Sequence, residues 1–264
     1  MKTKTLSLWF VFALAGLPLV GHPEPVRELE VLAAQIPGAS ESGLNGRDIE
    51  LVLATFKECG FKARFTMQPY ERHARTYRDR PEFDAVMTAP LFWDLPGFAT
   101  SAYIWYQPGA FYNHSRLGNV ETLADLEGLH VVTFRGGINV LGIQDKLSMF
   151  GSITEITDRS IHSRLLFMGR VDAILADGFV VAEVNRRIFQ SKRLQEMWPS
   201  QSDTFRFAPI FNPVPQRMVF REASLAEAFD KCFDRLSDRG VIDAINDKFI
   251  DKYQSVLRFR YLGR

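Results

Sequence analysis

Two hydrophobic periods alternate along this chain, and their order predicts its architecture. Glu28 to Ala34 (ELEVLAA) has the length and apolar content of a strand, while Arg47 to Cys59 carries Ile49, Val52, Leu53 and Phe56 at helical spacing before Gly60 stops it. A second strand is expected over Lys62 to Met67, a helix from Pro69 through PYERHARTYRD, and a third strand over Ala85 to Thr88. Strand, helix, strand, helix, strand implies a parallel sheet with right-handed crossovers.

The progression then returns. Val120 to Leu129 is expected to form a helix, His130 to Phe134 a strand, a helix to begin near Ile138, and Ile153 to Thr157 a further strand. A short helix from Ser163, a Gly-Arg turn and a strand over Val171 to Leu175 end on Asp177, and a basic helix follows over Val180 to Ser191. The segment SRLLFMGRVDAILADG repeats the plan of ARTYRDRPEFDAVMTAP: helix, turn, Asp-Ala, strand, then a small or polar residue. An apolar run that stops at an acid and a glycine is a buried parallel strand that carries a carboxylate to the sheet's C-terminal edge. Two copies of one unit imply two facing α/β lobes that share a cleft.

The rest of the chain supports two crossings between those lobes. Asn113 to Asn119 is polar and turn-rich, and Phe205 to Pro215 (FRFAPIFNPVP) is broken by proline. Lobe one is therefore expected over residues 25–112 and 216–264, lobe two over 113–215, with the crossings near 109–119 and 206–220. Arg217 to Phe220 reads as a strand, Leu225 to Asp238 as a helix capped by Ser224 and ended by Gly240, and Val241 to Tyr253 as a last helix.

Charge and composition narrow the partner. The formal net charge is +1 over 264 residues, with 46% hydrophobic content, which suits two modest cores and excludes a strongly basic nucleic-acid binder. A small-molecule ligand and a monomer are expected. Lys2 and Lys4 precede the apolar run Leu6 to Val20, which suits a secretory signal cut near Gly21, residues 1–21 in all; an uncleaved N-terminal anchor is the alternative. That places the mature protein in the periplasm. Cys59 and Cys232 both fall at apolar helical positions, and two buried thiols are expected, although an oxidising compartment permits a bridge. The five histidines do not pair with acids or cysteines at ligand spacing, so neither a metal nor a cofactor is expected.

Candidate binding chemistry lies at the predicted strand ends. Leu91 to Tyr112 is rich in aromatics, of which Trp93 and Trp105, with Tyr70 before it, could line a cleft. Arg135-Gly136-Gly137 joins a strand to a helix start, where free amides and the helix dipole suit an anion; a turn that simply needs glycine explains the motif as well.

These phrases in this order resemble the extracellular solute-binding proteins of the polar amino-acid uptake type, family 3, which have the type-II periplasmic binding fold. The matching segments are NGRDIELVLATFKECGFK, FDAVMTAP, ETLADLEGLHVVTFRGG, LLFMGRVDAILAD and LAEAFDKCFDRLSDRGVIDAINDKF. The resemblance implies a two-lobed α/β protein, each lobe a mainly parallel sheet flanked by helices and hinged by two crossings, that is not an enzyme. It further implies that Thr88, Ala89 and Pro90 supply ligand contacts after the first Asp-Ala strand. Gly137 and Ile138 would offer amides to a ligand carboxylate, and Asp177 would pair with a ligand amine. The family's carboxylate-clamping arginine has no counterpart in YIWYQPGAFY, so Arg135 or Arg72 would substitute. A small polar or cationic solute, amino-acid-like, is therefore expected, delivered to the permease of an ABC transporter or reported to a membrane sensor. An enzyme on the same scaffold, dehydratase-like, would need a cleft acid or base such as Asp177, Glu71 or His73.

Overall fold

The computed structural model describes residues 28–190, 204–257 and 261–263; the expected signal segment lies outside them. The chain opens with β1 (Glu28–Gln35), α1 (Arg47–Cys59), β2 (Lys62–Pro69), α2 (Arg72–Asp79), β3 (Ala85–Pro90) and β4 (Phe98–Tyr106). It continues with β5 (Pro108–Asn113), α3 (His114–Leu117), β6 (His130–Phe134), α4 (Gly137–Val140), β7 (Ser152–Ile156), α5 (Arg159–Phe167), β8 (Ala173–Asp177) and α6 (Gly178–Gln190). Beyond these come β9 (Phe205–Ala208), β10 (Val214–Phe220), α7 (Ala223–Asp238), α8 (Val241–Ile250) and α9 (Gln254–Leu257).

The strands form two separate sheets, ordered β2-β1-β3-β10-β4 and β7-β6-β8-β5-β9. In the first, β1 runs parallel to β2 and β3, and β10 antiparallel to β3 and β4. The second repeats the pattern, with β6 parallel to β7 and β8, and β5 antiparallel to β8 and β9. The sequence repeat has a structural basis in two equivalent aspartates. Asp84 accepts a hydrogen bond from the Glu30 amide at 2.9 Å and Asp172 one from the His130 amide at 2.9 Å, so each ties the strand that follows it to its parallel neighbour, β1 or β6. Beyond each aspartate, β3 and β8 are buried at every position, as central strands covered by helices on both faces should be.

Several boundaries differ from expectation. The first crossing is at Gln107, not Asn113 to Asn119: β4 ends in one sheet and β5 begins in the other, so residues 108–112 belong to lobe two. One uninterrupted apolar stretch hid two strands. The chain passes back to the first sheet between β9 and β10. The predicted helix over Val120 to Leu129 is a single 3-10 turn, Leu123–Leu126, held by a Thr122/Asp125 capping box and stopped before Gly128, whose φ is 72°. Helix α5 starts earlier, at Arg159, because Asp158 caps it by accepting from the Ser160 amide. Glu222, not Ser224, holds the N-cap position of α7.

The chain's end also departs from a simple return to lobe one. Helix α8 packs against α1, but Tyr253, Leu257 and Tyr261 enter a cluster with Phe179, Val180 and Phe207 of lobe two. The expectation of two buried thiols is corrected as well. Helices α1 and α7 lie side by side, their Cys59 and Cys232 Cα atoms are 5.7 Å apart, and the two residues form a disulfide.

Candidate functional site

Parallel strands deliver their C-terminal ends to one edge of each sheet, and the two edges face one another across a cleft of about 720 Å³. Lobe one contributes Tyr70, Glu71, Arg72 and Arg75 from the end of β2 and the start of α2. Lobe two contributes Phe134, Arg135, Asp158, Arg159 and Arg164 from the end of β6 and the start of α5. Glu71 takes a positive φ of 67° as the residue before α2, which turns its side chain across the cleft. Its carboxylate lies over Gly136 of the opposite lobe, where a Cβ would overlap it.

The cleft narrows to a small cavity of about 30 Å³ lined by Tyr70, Tyr106, Phe134, Arg159, Asp177 and Gln216 among others. Asp177 stands at its floor, but its oxygens are already engaged. It accepts from the Gln107 amide at 2.8 Å, the Val180 amide at 3.0 Å and the Tyr261 hydroxyl at 3.0 Å, so it caps α6 and pins the crossing segment. Burial raises its pKa, while the Arg47 charge and these donors oppose that rise. Gln107 in turn donates to the Phe211 carbonyl at 2.6 Å, which ties the two crossings together.

Arg47 is fully buried beside this hinge. Its guanidinium donates to Asp48 at 3.2 Å and to the Gly263 carbonyl at 2.7 Å, and lies over the rings of Tyr106 and Phe179, 5.3 and 4.9 Å from their centroids. Tyr106 donates to Asp48 at 2.6 Å, and burial, followed by the Asp48 charge, pushes that phenol well above its ordinary pKa.

The other expected site residues scatter. Tyr70, Arg72 and Arg135 line the cleft. Trp93 packs against Tyr70 with the rings tilted and their centroids 5.2 Å apart, and so backs the cleft wall. Thr88 and Ala89 are buried in lobe one, where the Thr88 hydroxyl meets Tyr103 at 3.1 Å, and Pro90 pairs with Gln216 across the sheet. The Gly-Arg-rich turn after β6 offers little free backbone: Ile138 donates its amide to Glu155 at 2.9 Å, and Gly137 is packed against Thr133. Trp105 is 41% exposed on β4, away from the cleft lining. His73 is fully buried behind Tyr70 and Trp93, which removes it as a cleft base.

Sequence reasoning missed Arg75, Arg159 and Arg164. The signal was present in ITDRS, where an aspartate after a strand caps a helix and brings the next residue to the sheet edge. Among the described residues no group of histidines, cysteines and carboxylates could hold a metal ion.

No protein-family model and no curated protein matches the chain. Solved structures do. A histidine kinase sensor domain similar to periplasmic binding proteins superposes with a TM-score of 0.67 at 16% identity, over 85% of this chain and 96% of that one. This is the two-lobed type-II periplasmic-binding fold. An ancestral arginine-binding protein bound to arginine matches with a TM-score of 0.63 at 20% identity, over 84% of this chain and 97% of that one. The GluR0 ligand-binding core from Nostoc punctiforme, in complex with L-glutamate, matches at 0.64 and 13% over 84% and 99%.

Proposed function

We propose that this chain is an extracytoplasmic solute receptor that closes its lobes on a small polar solute and presents the closed form to a membrane partner. The cleft between the two sheet edges carries the reading, since about 720 Å³ suits a small molecule and both walls bear polar side chains. A hydrophobic segment ahead of residue 21 and a disulfide between α1 and α7 both suit an oxidising compartment. Tyr70, Arg72 and Arg135 are the expected contacts that the reading keeps, with Asp177 closing the floor. An amine was expected to meet Asp177. With three protein donors on that carboxylate, a cationic group loses its main attraction there.

The membrane partner is proposed as the permease of an ABC importer, as for the amino-acid binders that share the fold. A sensor partner is the second reading, favoured by the shared fold with a kinase sensor domain. Small-angle scattering with and without a panel of small polar solutes tests the receptor reading: ligand-dependent compaction that Tyr70→Ala abolishes is expected, and no compaction with any solute overturns it. Crosslinking in intact cells separates permease from kinase.

A further inference from the structure

We infer that the solute is a multiply charged anion carrying at least two carboxylate or phosphate groups, a conclusion that rests on the receptor reading above. Among the described residues, six arginines and two carboxylates, Glu71 and Asp158, line the cleft, and no lysine does. Guanidinium forks bind carboxylate and phosphate oxygens two at a time, which an ammonium cannot do.

Several arginines outside the cleft are held by partners of the protein's own: Arg78, Arg217 and Arg221 donate to backbone carbonyls, and others pair with carboxylates. Arg64, Arg116 and Arg235 pair with Glu28 and Glu30, Asp172, and Glu58 respectively, at 2.7 to 3.1 Å. In the cleft, Arg187 alone is answered in this way, by Glu41 and Glu183, each at 2.6 Å. Among the described residues, no carboxylate comes within ion-pair distance of Arg72, Arg75, Arg135, Arg159 or Arg164. Both walls therefore offer cations without a close ion pair: Arg72 and Arg75 on one side, Arg135, Arg159 and Arg164 on the other.

Two of them stand at helix starts. Arg72 is the first residue of α2 and Arg159 the first of α5; each follows an acid at the N-cap position, Glu71 or Asp158, and neither helix has a further acid in its first turn. The helix dipole makes that end the least favourable place for a cation and the most favourable for an anion. Arg159 is also held over the Phe134 ring, 5.1 Å from its centroid, and burial lowers its pKa. Asp177 offsets that burial only in part and from beyond ion-pair distance, so an anion bound beside the guanidinium would relieve the remaining penalty. Two helix ends and their arginines, one pair per lobe, converge on the same space. A ligand with acidic groups at both ends would answer both walls and draw the lobes together.

Calorimetric titration of the mature full-length protein tests this, with succinate and citrate as carboxylate probes, inorganic phosphate and glycerol 3-phosphate as phosphate probes, and glutamine, arginine and putrescine as neutral and cationic comparators. The expected result is binding of at least one anion, weakened at least tenfold by Arg159→Gln and by Arg72→Gln, and weakened again by 0.5 M salt (~3 to 5 Å Debye length). Retention of the wild-type melting temperature by these variants shows that lost binding is not lost folding, and Arg135→Gln, at an exposed position, provides a third variant if one of them misfolds. The carboxylate and phosphate arms decide which acid is used. Tight binding only of glutamine, arginine or putrescine, unaffected by Arg159→Gln, overturns the anion inference while leaving the receptor intact. Absence of binding by every class, together with absence of compaction, overturns both.

Discussion

The Tyr261 hydroxyl donates to Asp177 at 3.0 Å and accepts from the Arg47 guanidinium at 3.4 Å. One phenol near the end of the chain thus joins the first turn of α1 in lobe one to the last residue of β8 in lobe two. Gly263, two residues on, accepts from the same arginine at 2.7 Å, so the tail is fastened beside the Gln107 crossing. Asp177 serves the hinge through these contacts as much as it faces the cleft.

Tyr261→Phe keeps the ring and removes the link. A buried hydrogen bond to a charged group contributes ~1.5 to 3 kcal/mol, and ~2 to 4 °C of melting temperature accompanies each kcal/mol in a protein of this size. A calorimetric scan should therefore show a fall of several degrees, with faster hydrogen exchange at the Gln107 and Val180 amides. An unchanged melt and exchange pattern would mean that the tail contact is incidental.

Gly136 has a φ of 80°, and a Cβ there would meet the Glu71 carboxylate from the other lobe. Gly136→Ala should cost ~1 kcal/mol of backbone strain and, because Glu71 must move aside, hinder closure more than folding. Ligand affinity should fall severalfold, and pairing the change with Glu71→Ala should restore part of it. Equal affinity in the single variant would remove Glu71 from the closing surface.

The disulfide joins residues 173 positions apart. Cross-links across long loops stabilise by ~2 to 5 kcal/mol, largely by restricting the unfolded chain. Cys59→Ser, or reduction of the wild type, should lower the denaturation midpoint accordingly without altering ligand affinity, because α1 and α7 lie outside the cleft lining. A change in affinity at constant stability would contradict that separation.

The fold was legible wherever period and punctuation agreed. The helix expected from near Arg47 to Cys59, bounded by glycines on both sides, spans Arg47–Cys59, and the Asp84 and Asp172 repeat anticipated two sheets of equal plan. The site was less legible, for physical reasons. Asp177 carries the expected acid at the expected strand end, yet partners from Gln107 and Tyr261, remote in sequence, decide what its oxygens do. Gly136 and Gly137 suggested an anion cradle, but Glu155, from the neighbouring strand, takes the Ile138 amide. Arg159 was hidden by a helix start placed four residues late. Tertiary partners of this kind leave no local pattern.

Two buried histidines make the fold sensitive to acid. Burial holds His73 and His162 near pKa 4, down from 6.5, with backbone carbonyls opposing the shift only in part. Well above pH 6.5 both are neutral in the folded and unfolded states and contribute no pH dependence. As pH falls from 6.5 towards 4 the unfolded chain takes up protons that the folded protein refuses, so stability declines by up to ~3 kcal/mol for each. Urea denaturation at pH 7 and pH 4.5 should show this loss, and His162→Asn should shrink it by about half. A flat profile would contradict neutral burial.

Arg47 offers the sharpest test of the hinge electrostatics. It lies fully buried against Asp48, with Asp177 reached through Tyr261, so Arg47→Met removes the cation that two buried carboxylates share. Breaking a buried pair by deleting one partner costs ~3 to 5 kcal/mol, because the remaining charge is left uncompensated. The Asp177 pKa is already raised by burial, and Arg47 is the largest influence opposing that rise, so the variant's Asp177 should titrate higher still. A carboxyl raised in the folded state binds its proton more tightly there than in the unfolded chain. Its contribution is therefore present in full below the unfolded pKa and lost as pH rises through the folded one. Arg47→Met should accordingly lose more stability at pH 7 than at pH 5, whereas the double variant with Asp177→Asn should recover part of the loss and flatten the profile. A deficit that does not change between those two pH values would assign Arg47 a packing role over Tyr106 and Phe179 and leave Asp177 held by its amide and phenol donors alone.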